Sequence, residues 1–240
     1  MKFFTYHDGS KERVGVLSPD GTTVYPVSSF GLGYNTMIDL IKNMSKEEKQ
    51  DLASRLACPQ AAGISFQDAT LLAPIPLPRD ILAVGGVGNF AAHVEETCRM
   101  NGVEYVKPEY CCYFCKRVNR AVPPGGKICL HEGITSMLDY EIELAVVIGK
   151  ECSRVTEKDA FDYVFGYTIV NDITARDIQK NLPQYGYAKG LDDTTPMGPC
   201  IVTADEIPDP HNLRLTLKVN GEMRQNSITN DLILGTSKNY

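Results

Sequence analysis

Three short runs rich in aromatic and β-branched residues open the chain: Phe3-Phe4-Thr5-Tyr6, Val14-Gly15-Val16-Leu17 and residues 22–27. Asp8-Gly9-Ser10 and Pro19-Asp20-Gly21 separate them. Such runs between turn residues predict strands. The period then changes. Ile38, Leu40, Ile41, Leu52 and Leu56 recur at helical spacing, and Ser45 with Glu48 makes a capping-box signature. One amphipathic helix is expected there. Together these elements predict a small α+β domain over residues 1–73.

Pro74, Pro76 and Pro78 form a stiff, extended connector. It places a boundary before a larger domain, residues 74–240. Residues 81–84 read as a buried strand closed by Gly85-Gly86-Val87-Gly88. A phosphate-binding loop could follow such a strand, but no Gly-Lys-Ser/Thr follows and the G-x-G-x-x-G spacing is missing. Further strand-like runs cover 141–148, 163–171 and 213–219, with only short helical segments between them. The expected class is α/β, mainly β.

The segment Asp139-Tyr140-Glu141-Ile142-Glu143 concentrates acid on one side of a strand, because alternate side chains share a face. Beyond Glu143 the run is continuously apolar, as in a strand buried on both faces. Crowded, partly buried carboxylates are relieved by protons or by a cation. Residues 165–172 supply another carboxylate, ending a strand in Asn171-Asp172 before a short helical segment. A carboxylate-only site with no His or Cys selects Mg²⁺ or Mn²⁺, with Ca²⁺ also compatible. Asp139, Glu141 and Glu143 are equal candidates at this level.

Two other groups carry chemistry. His93 and Glu96 stand three apart, one helical face, where a carboxylate-oriented His can take a proton from water. Read alone, they are an ordinary surface pair. The cations Lys116, Arg117 and Lys189 matter only if they face the acidic site. Cys112 and Cys115 form a C-x-x-C without a second pair, and the other cysteines are scattered. Buried small hydrophobes are the expected role, rather than zinc or redox chemistry.

The formal net charge of −6 argues against a nucleic-acid partner. The N-terminal segment lacks the apolar run of a signal peptide, and no stretch is long and apolar enough for a membrane span. A cytoplasmic protein with reduced cysteines is expected.

Residues 138–150 and 166–177, then Lys189-Gly190, Met197-Gly198-Pro199 and Asn220-Gly221-Glu222, resemble the fumarylacetoacetate hydrolase family. The likeness runs from about the proline connector to the end. It implies a mixed β-roll, usually dimeric, behind a small accessory domain. It implies that Glu141, Glu143 and Asp172 bind the metal, leaving Asp139 as a neighbour. His93 and Glu96 fall on the family's His-x-x-Glu, which activates water, and Lys189 on its lysine near the metal. Lys116, Arg117 and Arg176 are assigned to the substrate. The implied activity is metal-dependent hydrolysis of a C–C bond in a small 2,4-dioxo acid. Relatives isomerise, decarboxylate or dehydrate related oxo-acids. Val87 and Phe90 stand where the family often has Gly and Tyr. The sequence stops at Tyr240, before the family's Thr-Gly-Thr-Pro loop. The roll is therefore expected to be short of its closing segment, and an inactive binding protein is a further alternative.

Overall fold

The computed structural model describes residues 1–85, 91, 94–95, 98–99, 102–104, 106, 112–182 and 184–231. Strands β1 (Lys2–His7), β2 (Glu12–Leu17) and β3 (Thr23–Pro26) form where the aromatic and β-branched runs predict them. Helices α1 (Met37–Asn43) and α2 (Lys46–Leu56) follow. The expected single helix is thus two. The physical reason is at Ser45, whose side chain accepts the Glu48 N–H while Glu48 accepts the Ser45 N–H. That box starts a new helix and cannot sit inside an old one. Short strands β4 (Ile64–Ser65) and β5 (Thr70–Leu71) complete this part.

Past the prolines come β6 (Arg79–Val84), β7 (Tyr113–Val118), β8 (Leu138–Asp139), β9 (Ile142–Ile148) and β10 (Val164–Asn171). Then come β11 (Thr174–Ala175), β12 (Ile201–Thr203), β13 (Arg214–Val219) and β14 (Glu222–Ile228). A helix covers Arg176–Asn181 and a helical turn Gly186–Lys189.

One eight-stranded sheet runs in the order β4-β3-β2-β1-β12-β10-β9, with β5 also on β1. It crosses the proline connector, because β1 pairs with β12 through Lys2–Val202 and Phe3–Ile201. The apolar core does the same. Phe3, Val16, Leu40 and Leu52 pack with Val147 and Ile201. Burial of this kind contributes on the order of 2 kcal/mol per large side chain.

Two expectations change here. The apolar run after Glu143 is not buried on both faces. Among the described residues β9 ends its sheet, and most of it is half-buried, with Ile148 exposed. The cysteines are not mainly core residues either. Cys58, Cys112, Cys115, Cys129 and Cys152 are exposed, Cys98 is buried, and all are free. The Cys115 thiol on β7 faces outward because the alternation turns Lys116 and Val118 inward.

Candidate active site

The site forms where β9 and β10 meet. They pair antiparallel, with Glu143 opposite Val170 and Ile142 opposite Asn171. Beyond this ladder the chain of β8–β9 breaks at Tyr140-Glu141. The break is stitched to the end of β10 by two bonds. The Glu141 N–H donates to Asn171 Oδ1 at 2.9 Å, and the Asp172 N–H donates to the Glu141 carbonyl at 2.8 Å. The two carboxylates are therefore fixed through backbone as well as side chain. Gln225 on β14 accepts the Ile142 N–H at 2.9 Å and ties the β13–β14 hairpin to the same place. That hairpin turns at Asn220-Gly221, both left-handed at φ 52° and 85°, as a tight two-residue turn requires.

Lys189 joins the carboxylates. It is 5% exposed, and its ammonium donates to Asp172 Oδ2 at 2.6 Å and to Glu141 Oε2. The Thr174 hydroxyl accepts from the same ammonium at 2.9 Å and lies 3.1 Å from Glu141 Oε2. Burial disfavours the Lys189 charge, but Asp172 and Glu141 outweigh it and raise its pKa above the ordinary value. The ring of Phe114 lies under the ammonium, 5.2 Å from Nζ to the centroid. Tyr185 meets that ring edge-on at 5.5 Å. Gly85 leaves room for it, since a Cβ there would come within 2.7 Å of the Phe114 ring.

Arg176 opens the helix after β11 and holds Glu141 from the other side. Its guanidinium reaches Glu141 Oε1 at 2.6 Å, Asp139 Oδ2 at 2.8 Å and Gln179 Oε1 at 2.9 Å. Burial opposes ionisation of Glu141, yet Lys189 and Arg176 hold its pKa below the usual carboxylate range. Glu143 has neither support. Among the described residues no hydrogen bond or ion pair reaches it, and burial with the charges of Glu141 and Asp172 pushes its pKa up to about 8.

Lys116 lies on the inward face of β7 and is 1% exposed. Its Nζ donates to the Lys189 carbonyl at 2.5 Å and to the Ile173 carbonyl at 3.2 Å. It also forms an ion pair at 2.9 Å with the buried Asp172 Oδ1. Burial lowers the Lys116 pKa, partly offset by Asp172. Arg117, the next residue, is on the opposite, exposed face.

The structure thus gathers Glu141, Glu143, Asp172, Lys189, Lys116 and Arg176, and places Arg117 apart. His93 and Glu96, like Val87 and Phe90, lie outside the described residues. Thr174, Asn171 and Phe114 are site residues beyond the sequence expectation. Thr174 had a signal, being two residues beyond Asp172 and so on the same side of an extended chain.

Could these residues hold a dication? The donor chemistry fits. Glu143 is half-buried with no hydrogen bond or ion pair among the described residues, and Asp172 Oδ1 is buried with no hydrogen-bond partner there. All donors are hard oxygens. Among the described residues, though, no three His, Cys, Asp or Glu side chains enclose a common point, and the Lys189 ammonium bridges Glu141 and Asp172. No helix among the described residues is long and apolar enough to cross a membrane.

Residues 82–238 match the family described as fumarylacetoacetate (FAA) hydrolase C-terminal. The oxaloacetate tautomerase YisK of Bacillus subtilis is 45% identical over 170 residues, 70% of this chain and 54% of that protein. The chain spans about half the length of the curated relatives it matches. A fumarylacetoacetate hydrolase from Exiguobacterium antarcticum superposes with a TM-score of 0.74 at 30% identity, covering 99% of this chain and 79% of that one. Maleylpyruvate hydrolase from Sphingobium sp. SYK-6, in complex with manganese(II) and pyruvate, gives 0.73 at 26% identity, covering 99% and 80%. The mainly β architecture agrees with these neighbours. By its matched residues and its fold, the chain belongs to the fumarylacetoacetate hydrolase family.

Proposed function

We propose that this protein is a divalent-metal-dependent enzyme that acts on a small 2-oxo acid through its enolate. The observation that carries the reading is the buried Lys189 ammonium set between Glu141 and Asp172, beside a Glu143 with no hydrogen bond or ion pair among the described residues. Glu141, Glu143 and Asp172 would hold the ion, Mg²⁺ or Mn²⁺, with Ca²⁺ allowed by the same oxygen chemistry. When bound, such an ion polarises the substrate carbonyl and stabilises enolate charge.

The chain's own residues supply the rest. With its raised pKa, Lys189 stays protonated at neutral pH. It then serves as a fixed charge and hydrogen-bond donor toward an enolate oxygen, not as a base. Arg176 is occupied by Asp139, Glu141 and Gln179, so its contribution is to aim Glu141. Phe114 and Tyr185 shield the ammonium from water on one side.

Two reactions share this enolate. Keto–enol interconversion needs only proton movement, and the 45% identity to an oxaloacetate tautomerase favours it. Hydrolysis of a C–C bond in a 2,4-dioxo acid needs an activated water as well, the role assigned to His93 and Glu96. The neighbour that binds manganese and pyruvate favours that reading. Isomerisation, decarboxylation or dehydration of a related oxo-acid, or a non-catalytic binding role, are the remaining readings. A cytoplasmic homodimer is the setting we take for it.

The test is a panel of oxaloacetate and acylpyruvates with Mg²⁺ or Mn²⁺, following enol absorbance and released acid. Faster enol–keto exchange without bond cleavage identifies a tautomerase. Release of pyruvate with a second acid identifies a hydrolase. No metal-dependent change in any member overturns the proposal.

A further inference from the structure

A lysine with 1% exposure is unusual, since an ammonium is rarely buried unless its protons are taken. Lys116 meets that condition in an unusual way. Its partners are not surface acids but two backbone carbonyls and a site carboxylate. One carbonyl is that of Lys189 itself, at 2.5 Å; the other is that of Ile173, directly after Asp172, at 3.2 Å. Its charge faces Asp172 Oδ1 at 2.9 Å. Lys116 therefore grips the backbone beneath both ends of the Lys189–Asp172 contact. Lys189 closes a helical turn of four residues, and Ile173 lies between β10 and β11.

We propose that Lys116 is a positioning residue: it fixes where the Lys189 ammonium stands relative to Asp172 and does not touch the substrate. This rests on the reading above that Lys189 and the carboxylates form the reactive centre. Two carbonyls in fixed directions demand one small, three-proton head on a long stem. Arginine supplies the charge but a flat fork of different reach. Both charge and shape are needed.

The experiment uses Lys116→Met and Lys116→Arg in the full chain, with Mg²⁺ and the enol form of oxaloacetate. Both variants should lose roughly 10- to 100-fold in kcat per folded molecule, the scale of a small misplacement of a reacting group. KM and calorimetric Mg²⁺ affinity should not weaken in Lys116→Met, because a cation beside a carboxylate has been removed. A wild-type kcat in either variant, or rescue by arginine, overturns the inference, as does equal loss of kcat and Mg²⁺ affinity. An absence of metal-dependent turnover of oxaloacetate and of every acylpyruvate of the panel in the wild type instead refutes the functional reading. In that case, or if neither variant folds, NMR of the wild type decides. The Lys116 ammonium should exchange slowly and show couplings across hydrogen bonds to the Ile173 and Lys189 carbonyl carbons. Fast exchange without those couplings overturns the placement.

Discussion

The side-chain oxygen of Asn171 accepts the backbone N–H of Glu141 at 2.9 Å, across thirty positions of sequence. It replaces a ladder bond where the β8–β9 chain breaks, so a site carboxylate is held by a neighbour with no charge of its own. Asn171→Ala removes that acceptor and leaves a half-buried N–H unpaired. It should cost about 1–3 kcal/mol in stability. It should also weaken Mg²⁺ binding roughly 10- to 100-fold, as expected when a supporting shell is lost. Chemical denaturation and calorimetry read the two effects; unchanged metal affinity would show that Glu141 does not depend on Asn171.

Glu143 gives a pH dependence. Its folded-state pKa is raised from 4.5 to about 8 by burial and by the charges of Glu141 and Asp172. Between those values the unfolded chain ionises this carboxyl and the metal-free folded chain does not. Its contribution to stability is therefore intact below pH 4.5 and falls as pH rises toward 8, at up to about 1.4 kcal/mol per unit. Glu143→Gln removes the dependence. The metal-free variant should match or exceed the wild type in stability at pH 8 to 9, and should lose stabilisation by Mg²⁺. A variant that follows the wild-type pH curve would contradict the assignment.

Gly166 lets β10 lie against β12. A Cβ there would stand 2.2 Å from the Val202 carbonyl oxygen and 3.0 Å from the Thr203 Cα, neither of which can move aside alone. Gly166→Ala should cost on the order of 3 kcal/mol and lower the melting temperature by about 10 °C. Because β10 carries Asn171 and Asp172, activity per folded molecule should fall too. Differential scanning calorimetry with an activity assay checks both; a melting shift under about 2 °C would mean the strands separate at no cost.

Much of this site is legible in the sequence, for identifiable reasons. Strand alternation puts Asp139, Glu141 and Glu143 on one side, and the observed sharing of Arg176 by Asp139 and Glu141 agrees. The Ser45–Glu48 box marks a helix start in the sequence, and it divides the helical run into α1 and α2. The depth of Lys116 could not be read. Its partners are carbonyls 57 and 73 positions away, and backbone acceptors leave no mark on residue type. The exposure of Cys115 on β7 is hidden for a related reason: which face of a strand turns inward is set by what packs on it.

The central claim is that Glu141, Glu143 and Asp172 hold a divalent ion, and titration with Mn²⁺ followed by electron paramagnetic resonance tests it most directly. The wild type should take up about one equivalent in an all-oxygen environment. Glu141→Ala and Asp172→Ala, each shown to be folded by circular dichroism, should take up none. A wild type that binds no Mn²⁺, or a folded Asp172→Ala that binds it as the wild type does, would contradict the account.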